Sequence, residues 1–169
     1  HLDGKVLTTT RRRFWDMNDP WVEEYLSERV IGMLKRYGFE YMKIDYNDTI
    51  GMGCDGSESI GEGLRINVEK TYGFMAKIKR EIPGIVLDNC ASGGHRLEPR
   101  FMASTSMASF SDAHHCVEIP IIASNLPPAI LPRLSHIWAV LREPDAGTRI
   151  PYSIVRTILR RLCLSVAVT

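Results

Sequence analysis

Two aspartates, far apart in the chain, occupy positions where chemistry is expected in a protein of alternating strands and helices. Asp45 follows Lys43 in a short apolar segment, and Asp112 follows a second short segment through Ser111. In an extended strand, residues two apart share a face, so Lys43 and Asp45 would point the same way. A cation on the same face keeps a carboxylate ionised, and an ionised carboxylate can act as a nucleophile. A salt bridge that only closes the strand end explains the pair equally well.

A second candidate segment runs from Cys90 to Glu98 and contains Gly93 and Gly94. A Gly-Gly pair lets the backbone approach a ligand closely, and Cys90 and Ser92 could add small polar contacts. A plain tight turn is the simpler interpretation of the same residues.

Two carboxylates from two strand ends are the minimum set for glycoside hydrolysis, one as nucleophile or base and one as proton donor. His114 and His115 lie shortly after Asp112 and suggest a metal site as an alternative. Adjacent histidines in a strand point to opposite faces, and no H-E-x-x-H pattern occurs. We therefore favour the two carboxylates over a metal site, and hydrolysis by two carboxylates needs no metal and no cofactor.

The segment Gly51–Gly56 matches G-x-G-x-x-G, the pattern of dinucleotide-binding loops. That fingerprint requires the first glycine directly after a strand and a helix opening at the last. Here five residues separate Asp45 from Gly51, and further glycine and polar residues delay the helix. The segment favours a loop at an active site.

The elements that must position these residues alternate between strand and helix. Asp19-Pro20 is a typical helix start, and Gly38 suits the left-handed end of that helix. Strands are predicted over Lys5–Trp15, Tyr41–Asp45, Ile85–Cys90, Met107–Asp112 and His136–Leu141. A loop is predicted from Asn47 to Gly63, followed by a helix that carries Val68 to Ile82, and further helices are predicted over Pro120–Leu131 and Tyr152–Leu162. This alternation predicts an α/β fold with a parallel sheet, either doubly wound or closed as a (β/α)8 TIM barrel.

The chain has 169 residues, whereas a complete barrel of this type needs roughly 250. It starts at His1 and stops within an apolar pattern, so we expect a domain truncated at both ends. The 44% of hydrophobic and 24% of charged residues are typical of a globular protein.

Charge and hydropathy exclude several classes of partner. The net charge of +1 gives no electrostatic reason to expect nucleic acid binding, and no apolar run reaches the ~18 residues that span a bilayer. Four scattered cysteines without a C-x-x-C pair favour free thiols and, through them, an intracellular location.

The candidate segments together resemble glycoside hydrolase family 36, the α-galactosidases of the melibiase type. Members carry Lys-Trp-Asp-Met-Asn, Cys-x-x-Gly-Gly-x-Arg and Ser-Asp segments in that order. Here they read Lys43 to Asn47, Cys90 to Arg96 and Ser111-Asp112, and the Asp19-Pro20 helix is also similar to the family. Three positions depart from the pattern: Ile44 replaces Trp, Glu98 replaces Asp, and His115 replaces the second Asp of Ser-Asp-x-x-Asp.

The resemblance implies roles for individual residues. Asp45 would be the nucleophile and Asp112 the general acid/base, with Glu118 in reserve. The implied substrate-binding residues are Lys43, Asn47, Cys90, Gly93, Gly94 and Arg96, of which Arg96 would support the loop rather than touch the sugar.

The resemblance also implies a fold and an activity. Residues 1–169 would form part of a (β/α)8 glycosidase catalytic domain, from about the third strand to the seventh. The activity would be retaining hydrolysis of terminal α-galactosides in oligosaccharides by a protein that is a possible homo-oligomer, with carboxyl groups about 5–5.5 Å apart. An α-N-acetylgalactosaminidase, a galactosyl transferase and an inactive sugar-binding fragment are the alternatives.

Overall fold

A computed structural model describes residues 1–9, 12–48, 53–113, 115, 117–141, 151 and 161–166. The chain divides into two compact units. The first comprises His1–Tyr41 and Asp48–Ile85, and the second comprises Met42–Asn47 and Val86–Thr169. Within the described part, no helix is both long and apolar enough to cross a bilayer.

The first unit contains the helix that was predicted after Asp19. Its parts are α1 (Pro20–Leu26), a π-helical turn (Ser27–Ile31) and α2 (Gly32–Tyr37). The Asp19 carboxylate accepts a hydrogen bond from the Trp21 N–H at 2.9 Å, and Gly38 closes the helix with φ +67°. The sequence signals at both ends are therefore confirmed.

The long helix α3 (Ile60–Glu81) completes the helical part of this unit. It begins at Ile60, within the loop that was predicted to end at Gly63, because Ser59 caps it by accepting a hydrogen bond from the Glu62 N–H. The last glycine of the Gly51–Gly56 pattern thus precedes the helix rather than opening it, as the sequence analysis argued.

The prediction of one strand over Lys5–Trp15 is wrong. The structure has two short strands, β1 (Thr8–Thr9) and β2 (Arg12–Arg13), which pair antiparallel with Thr8 opposite Arg13. A hairpin that folds back on itself keeps the same two-residue alternation as a single strand, so the pattern alone does not reveal the reversal.

The second unit is built on a five-stranded sheet in the order β3-β4-β5-β6-β7. These strands are β3 (Tyr41–Asp45), β4 (Val86–Cys90), β5 (Met107–Ser109), β6 (Ser135–Leu141) and β7 (Arg161–Val166). The pairs from β4 to β7 are parallel. Because the spatial order follows the chain order without a reversal, the sheet is of the (β/α)8 type rather than doubly wound.

The two faces of this sheet differ in chemistry. One face packs its apolar residues against α4 (Pro99–Ser104) and α5 (Glu118–Asn125). That buried cluster is Met102, Ala108, Phe110, Ile119, Ala123, Leu126, Ile130 and Ile137. The alternate residues of the strands, among them Asp88, Ser109 and His136, are polar and face the other side. This is the expected division between the helix layer and the interior of a barrel.

Several element boundaries differ from the predictions. β5 ends at Ser109 rather than at Asp112, and α5 begins at Glu118 and ends at Asn125, before a 3-10 turn at Pro132–Leu134. The helix α4 was not predicted, although Glu98-Pro99 repeats the Asp19-Pro20 signal. Most of the predicted helix Tyr152–Leu162 lies outside the described residues, and its last two residues belong to β7.

Candidate active site

The candidate residues gather at the carboxyl ends of neighbouring strands in the second unit. Asp45 and Cys90 are the last residues of β3 and β4, and Asp112 comes three residues after β5. In a parallel barrel these ends lie on one side, where the functional loops are found.

Asn47 ties the end of β3 to the loop after β4. Its side-chain oxygen accepts hydrogen bonds from the Ser92 backbone N–H at 2.9 Å and from the Ser92 hydroxyl at 3.3 Å. Ser92 is held at φ +45°, a left-handed conformation that is uncommon for residues with a side chain. The hydrogen bonds that Ser92 donates to Asn47 therefore stabilise a strained turn at the site.

Gly93 and Gly94 bring that turn against the segment that carries Asp112. A Cβ on Gly93 would lie 2.2 Å from the Asp112 backbone nitrogen, and one on Gly94 would lie 2.5 Å from the Phe110 carbonyl oxygen. Both glycines also have positive φ. A Gly-Gly pair allows a close approach of the backbone, and here Gly93 and Gly94 approach the backbone of Phe110 to Asp112. This contact fixes the turn after β4 against the segment that carries Asp112.

Cys90 lies where the charges of the site converge. Burial, with only 1% of the residue exposed, raises the pKa of its thiol, and the Gly93 N–H lowers that pKa through a hydrogen bond. The charge of Lys43 also lowers the pKa, whereas those of Asp45 and Asp112 raise it. Both predicted catalytic carboxylates and the predicted cation therefore act on one buried thiol.

The Asp45 and Asp112 carboxylates are themselves accessible. Both residues are exposed, and within the described part of the chain neither carboxylate has a hydrogen bond or an ion pair. Carboxylates in that state are available to a substrate.

Among the described residues, Lys43 forms no salt bridge with Asp45 at the end of β3. Its ammonium nitrogen lies 4.3 Å from the centroid of the Trp138 ring instead. Trp138, on β6, was not identified from sequence as a site residue. Only its strand was predicted, because strand spacing does not tell which side chains meet across a sheet.

The contacts of Arg96 are with residues in and next to its own loop. Its guanidinium carbon lies 3.6 Å from the Tyr46 ring centroid and 5.0 Å from that of Phe101. Its carbonyl oxygen accepts a 2.6 Å hydrogen bond from the Asn89 side chain. These contacts stabilise the loop between β4 and α4 next to the end of β3.

A buried polar cluster lies on the same face of the sheet and joins β4, β5 and β6. Asp88 Oδ2 lies 2.7 Å from His136 Nδ1, and the Ser109 hydroxyl lies within 3.3 Å of both groups. Sequence reasoning missed this cluster. Its only signal was an aspartate inside a predicted buried strand, which is rare unless a partner is present.

His115 and Glu118 lie at the start of α5. The His115 carbonyl oxygen accepts backbone hydrogen bonds at the start of α5, where Glu118 is the first residue. His114 and Cys116 lie outside the described residues. Across the described part of the chain, no group of three or more His, Cys, Asp or Glu side chains could hold a metal ion.

The fold and the arrangement of the candidate residues define a class: this is a segment of a (β/α)8 barrel that carries aspartates at and just after its strand ends. The sequence profile of the Melibiase family matches residues 1–140, and the chain belongs to that family. The family predicted from the three segments is therefore confirmed.

Individual relatives agree with this assignment. Alpha-galactosidase 2 of Pediococcus pentosaceus is 22% identical over 144 residues, which are 82% of this chain and 20% of that protein. The crystal structure of the α-galactosidase from Lactobacillus brevis has a TM-score of 0.82 at 22% identity, covering 99% of this chain and 23% of that one. A GH36 α-galactosidase of Geobacillus stearothermophilus has a TM-score of 0.84 at 16% identity, covering 99% and 24%.

These structural likenesses show that the chain has the fold of the corresponding part of those barrels. The chain spans about a fifth of the length of the curated relative and about a quarter of the solved structures.

Proposed function

We propose that the protein containing this chain hydrolyses terminal α-galactosides with retention of configuration, using Asp45 as nucleophile and Asp112 as general acid and base. The observation that supports the proposal is geometric: the hydrogen bonds of Ser92 to Asn47 and the close approach of Gly93 to the Asp112 backbone bring the three candidate segments together. Residues 1–169 would then be one part of the catalytic domain.

The reaction would proceed by double displacement. An Asp45 oxygen attacks the anomeric carbon, and the glycosidic bond breaks with its electron pair passing to the leaving oxygen, which takes the proton of Asp112. Water then attacks the galactosyl-enzyme ester, giving its proton to Asp112 and releasing Asp45. The mechanism requires the carboxyl groups to lie about 5–5.5 Å apart around the bound sugar.

The remaining residues would bind and position the sugar. Lys43 and the Asn47 amide nitrogen would donate hydrogen bonds to hydroxyls, and the Cys90 to Gly94 turn would border the sugar. The stacking of Arg96 on Tyr46 supports a role in holding the loop. Relatives from Geobacillus stearothermophilus were solved with raffinose and with stachyose, which supports α-galactoside oligosaccharides as substrates. Homo-oligomerisation of the longer protein stays a prediction.

The proposal is tested by carboxamide variants of the full-length protein. Asp45→Asn and Asp112→Asn are each expected to lower kcat on raffinose by at least about a thousandfold, because each removes a group that makes or protonates a bond. Glu118→Gln is the matched control and is expected to keep wild-type rates.

Product stereochemistry gives the second measurement. Proton NMR of the first-formed galactose should show the α-anomer. Full activity of Asp45→Asn, or initial release of the β-anomer, would contradict the proposed mechanism. Loss of activity in Glu118→Gln but not in Asp112→Asn would move the proton donor to Glu118.

A further inference from the structure

The contact between Lys43 and Trp138 joins two strands that are not neighbours. β4 and β5 lie between β3 and β6 in the sheet, yet the ammonium nitrogen is 4.3 Å from the indole centroid. The two side chains meet because they project from the same face of a sheet that curves toward that face. Trp138 therefore reaches Lys43 from a strand three places away in the sheet.

We propose that Trp138 is a positioning residue that holds the Lys43 ammonium where it binds a galactose hydroxyl. The inference rests on the proposed function, and it assigns a role to a residue that the carboxylate pair and its three sequence segments do not include. Trp138 acts through Lys43 rather than on the reacting atoms.

The chemistry of the contact explains why an aromatic ring suits this position. The face of an indole attracts a cation through its quadrupole and is the strongest aromatic partner for one. An ammonium group has three N–H donors. A carboxylate partner would neutralise the charge and occupy donors, whereas a ring on one side leaves the charge and the donors on the other sides for hydroxyl groups.

The position of Trp138 is itself fixed by the buried polar cluster. His136 precedes Trp138 by two residues on β6 and therefore shares its face. The hydrogen bonds of His136 to Asp88 on β4 and Ser109 on β5 lock the three strands in register. The strand that carries Trp138 is therefore held both by its backbone pairing and by the side-chain hydrogen bonds of His136.

Kinetics of the full-length protein test the coupling of the two residues. Trp138→Leu is expected to raise KM for an α-galactoside about tenfold, with a smaller change in kcat, and Trp138→Phe is expected to recover most of that loss because it keeps a ring face. In a Lys43→Met background, Trp138→Leu should add less than about twofold. Trp21→Leu, a change of the exposed tryptophan on α1, is the control and should leave both constants unchanged.

A spectroscopic readout separates the contact from catalysis. With 5-fluorotryptophan incorporated, the signal lost in Trp138→Phe identifies Trp138, and Lys43→Met should shift that signal while leaving the Trp21 signal in place. An unshifted Trp138 signal would overturn the proposal even if galactosides are hydrolysed. A full tenfold effect of Trp138→Leu in the Lys43→Met background would also overturn it. A shifted signal in a protein without galactosidase activity would leave the contact standing and refute the proposed function instead.

Discussion

The pKa of the Cys90 thiol depends on its burial and on the charges of Lys43, Asp45 and Asp112. Burial raises the pKa of its thiol above the ordinary value of 9.0, and the Asp45 and Asp112 charges raise it further. We expect iodoacetamide to modify Cys90 much more slowly than a free thiol at pH 8, because the thiolate is the reactive form. Asp45→Asn should lower this pKa and speed the reaction, whereas Lys43→Met should raise the pKa and slow it.

Cys54 provides the matched control for this titration. It is also buried and its pKa is also raised, but the charges that act on it are those of Asp16, Asp55 and the N-terminus. Its alkylation profile, followed by mass spectrometry of the same samples, should not respond to Asp45→Asn. Equal responses of Cys54 and Cys90 would mean that the variants loosen the fold, and no response of Cys90 would contradict the convergence of charges.

The sign of the pH effect on stability follows from the same raised pKa. The folded state favours the neutral Cys90 thiol, so its contribution is fully present below the ordinary thiol pKa and is lost as the pH rises through the raised value. The free energy of unfolding should therefore fall on the alkaline side, and Cys90→Ser should reduce that fall.

Among the elements, the Gly93-Gly94 turn makes the closest backbone approach at the site. Gly93→Ala would put a Cβ 2.2 Å from the Asp112 nitrogen in a residue at φ +56°. The strain alone costs about 1–3 kcal/mol, and the overlap adds to it or pushes Asp112 away. We expect this variant to lose stability in urea denaturation and, in the full-length protein, to lose most of its activity.

Gly38 allows the strain and the overlap to be separated. It has a similar φ of +67°, but a Cβ there would meet no atom within 4 Å. Gly38→Ala should therefore cost only about 1–2 kcal/mol and leave the activity intact. Equal losses in the two variants would show that the left-handed conformation, and not the contact with the Asp112 segment, makes Gly93 necessary.

Some helices and strands could be predicted from the sequence alone, and others could not. The strands that end in Asp45 and Cys90 and the capped helix after Asp19 were predictable, because apolar runs and capping residues are local signals. The antiparallel pairing of β1 with β2 was not predicted, because a reversal of the chain leaves the alternation of residues unchanged. The helix after Glu98 was not predicted either, because the residues up to Glu98 were interpreted as a turn and their capping signal was overlooked. Side-chain contacts between strands could not be predicted from the sequence. The contact of Lys43 with Trp138 depends on the order and curvature of the strands in the sheet and not on the spacing of residues along the chain.

At the scale of the whole molecule, the five-stranded sheet has two ends. A (β/α)8 barrel closes eight strands into a ring and leaves no free edge. Here β3 and β7 each have one neighbour among the described residues, and the chain spans 20% to 24% of the length of its relatives. A complete ring of this type has eight strands, three more than this sheet.

The edges of β3 and β7 that have no strand neighbour among the described residues lead to a prediction about the isolated 169-residue chain. The N–H and C=O groups of an edge strand pair readily with another chain, and β3 also carries Tyr41, which is exposed. We therefore expect the isolated chain to self-associate, with a sedimentation coefficient that rises with concentration. The full-length protein should keep one defined size over the same range, because its own strands cover both edges. A monodisperse isolated chain that unfolds in one cooperative transition would instead mean that these two units satisfy their edges themselves and form an autonomous domain.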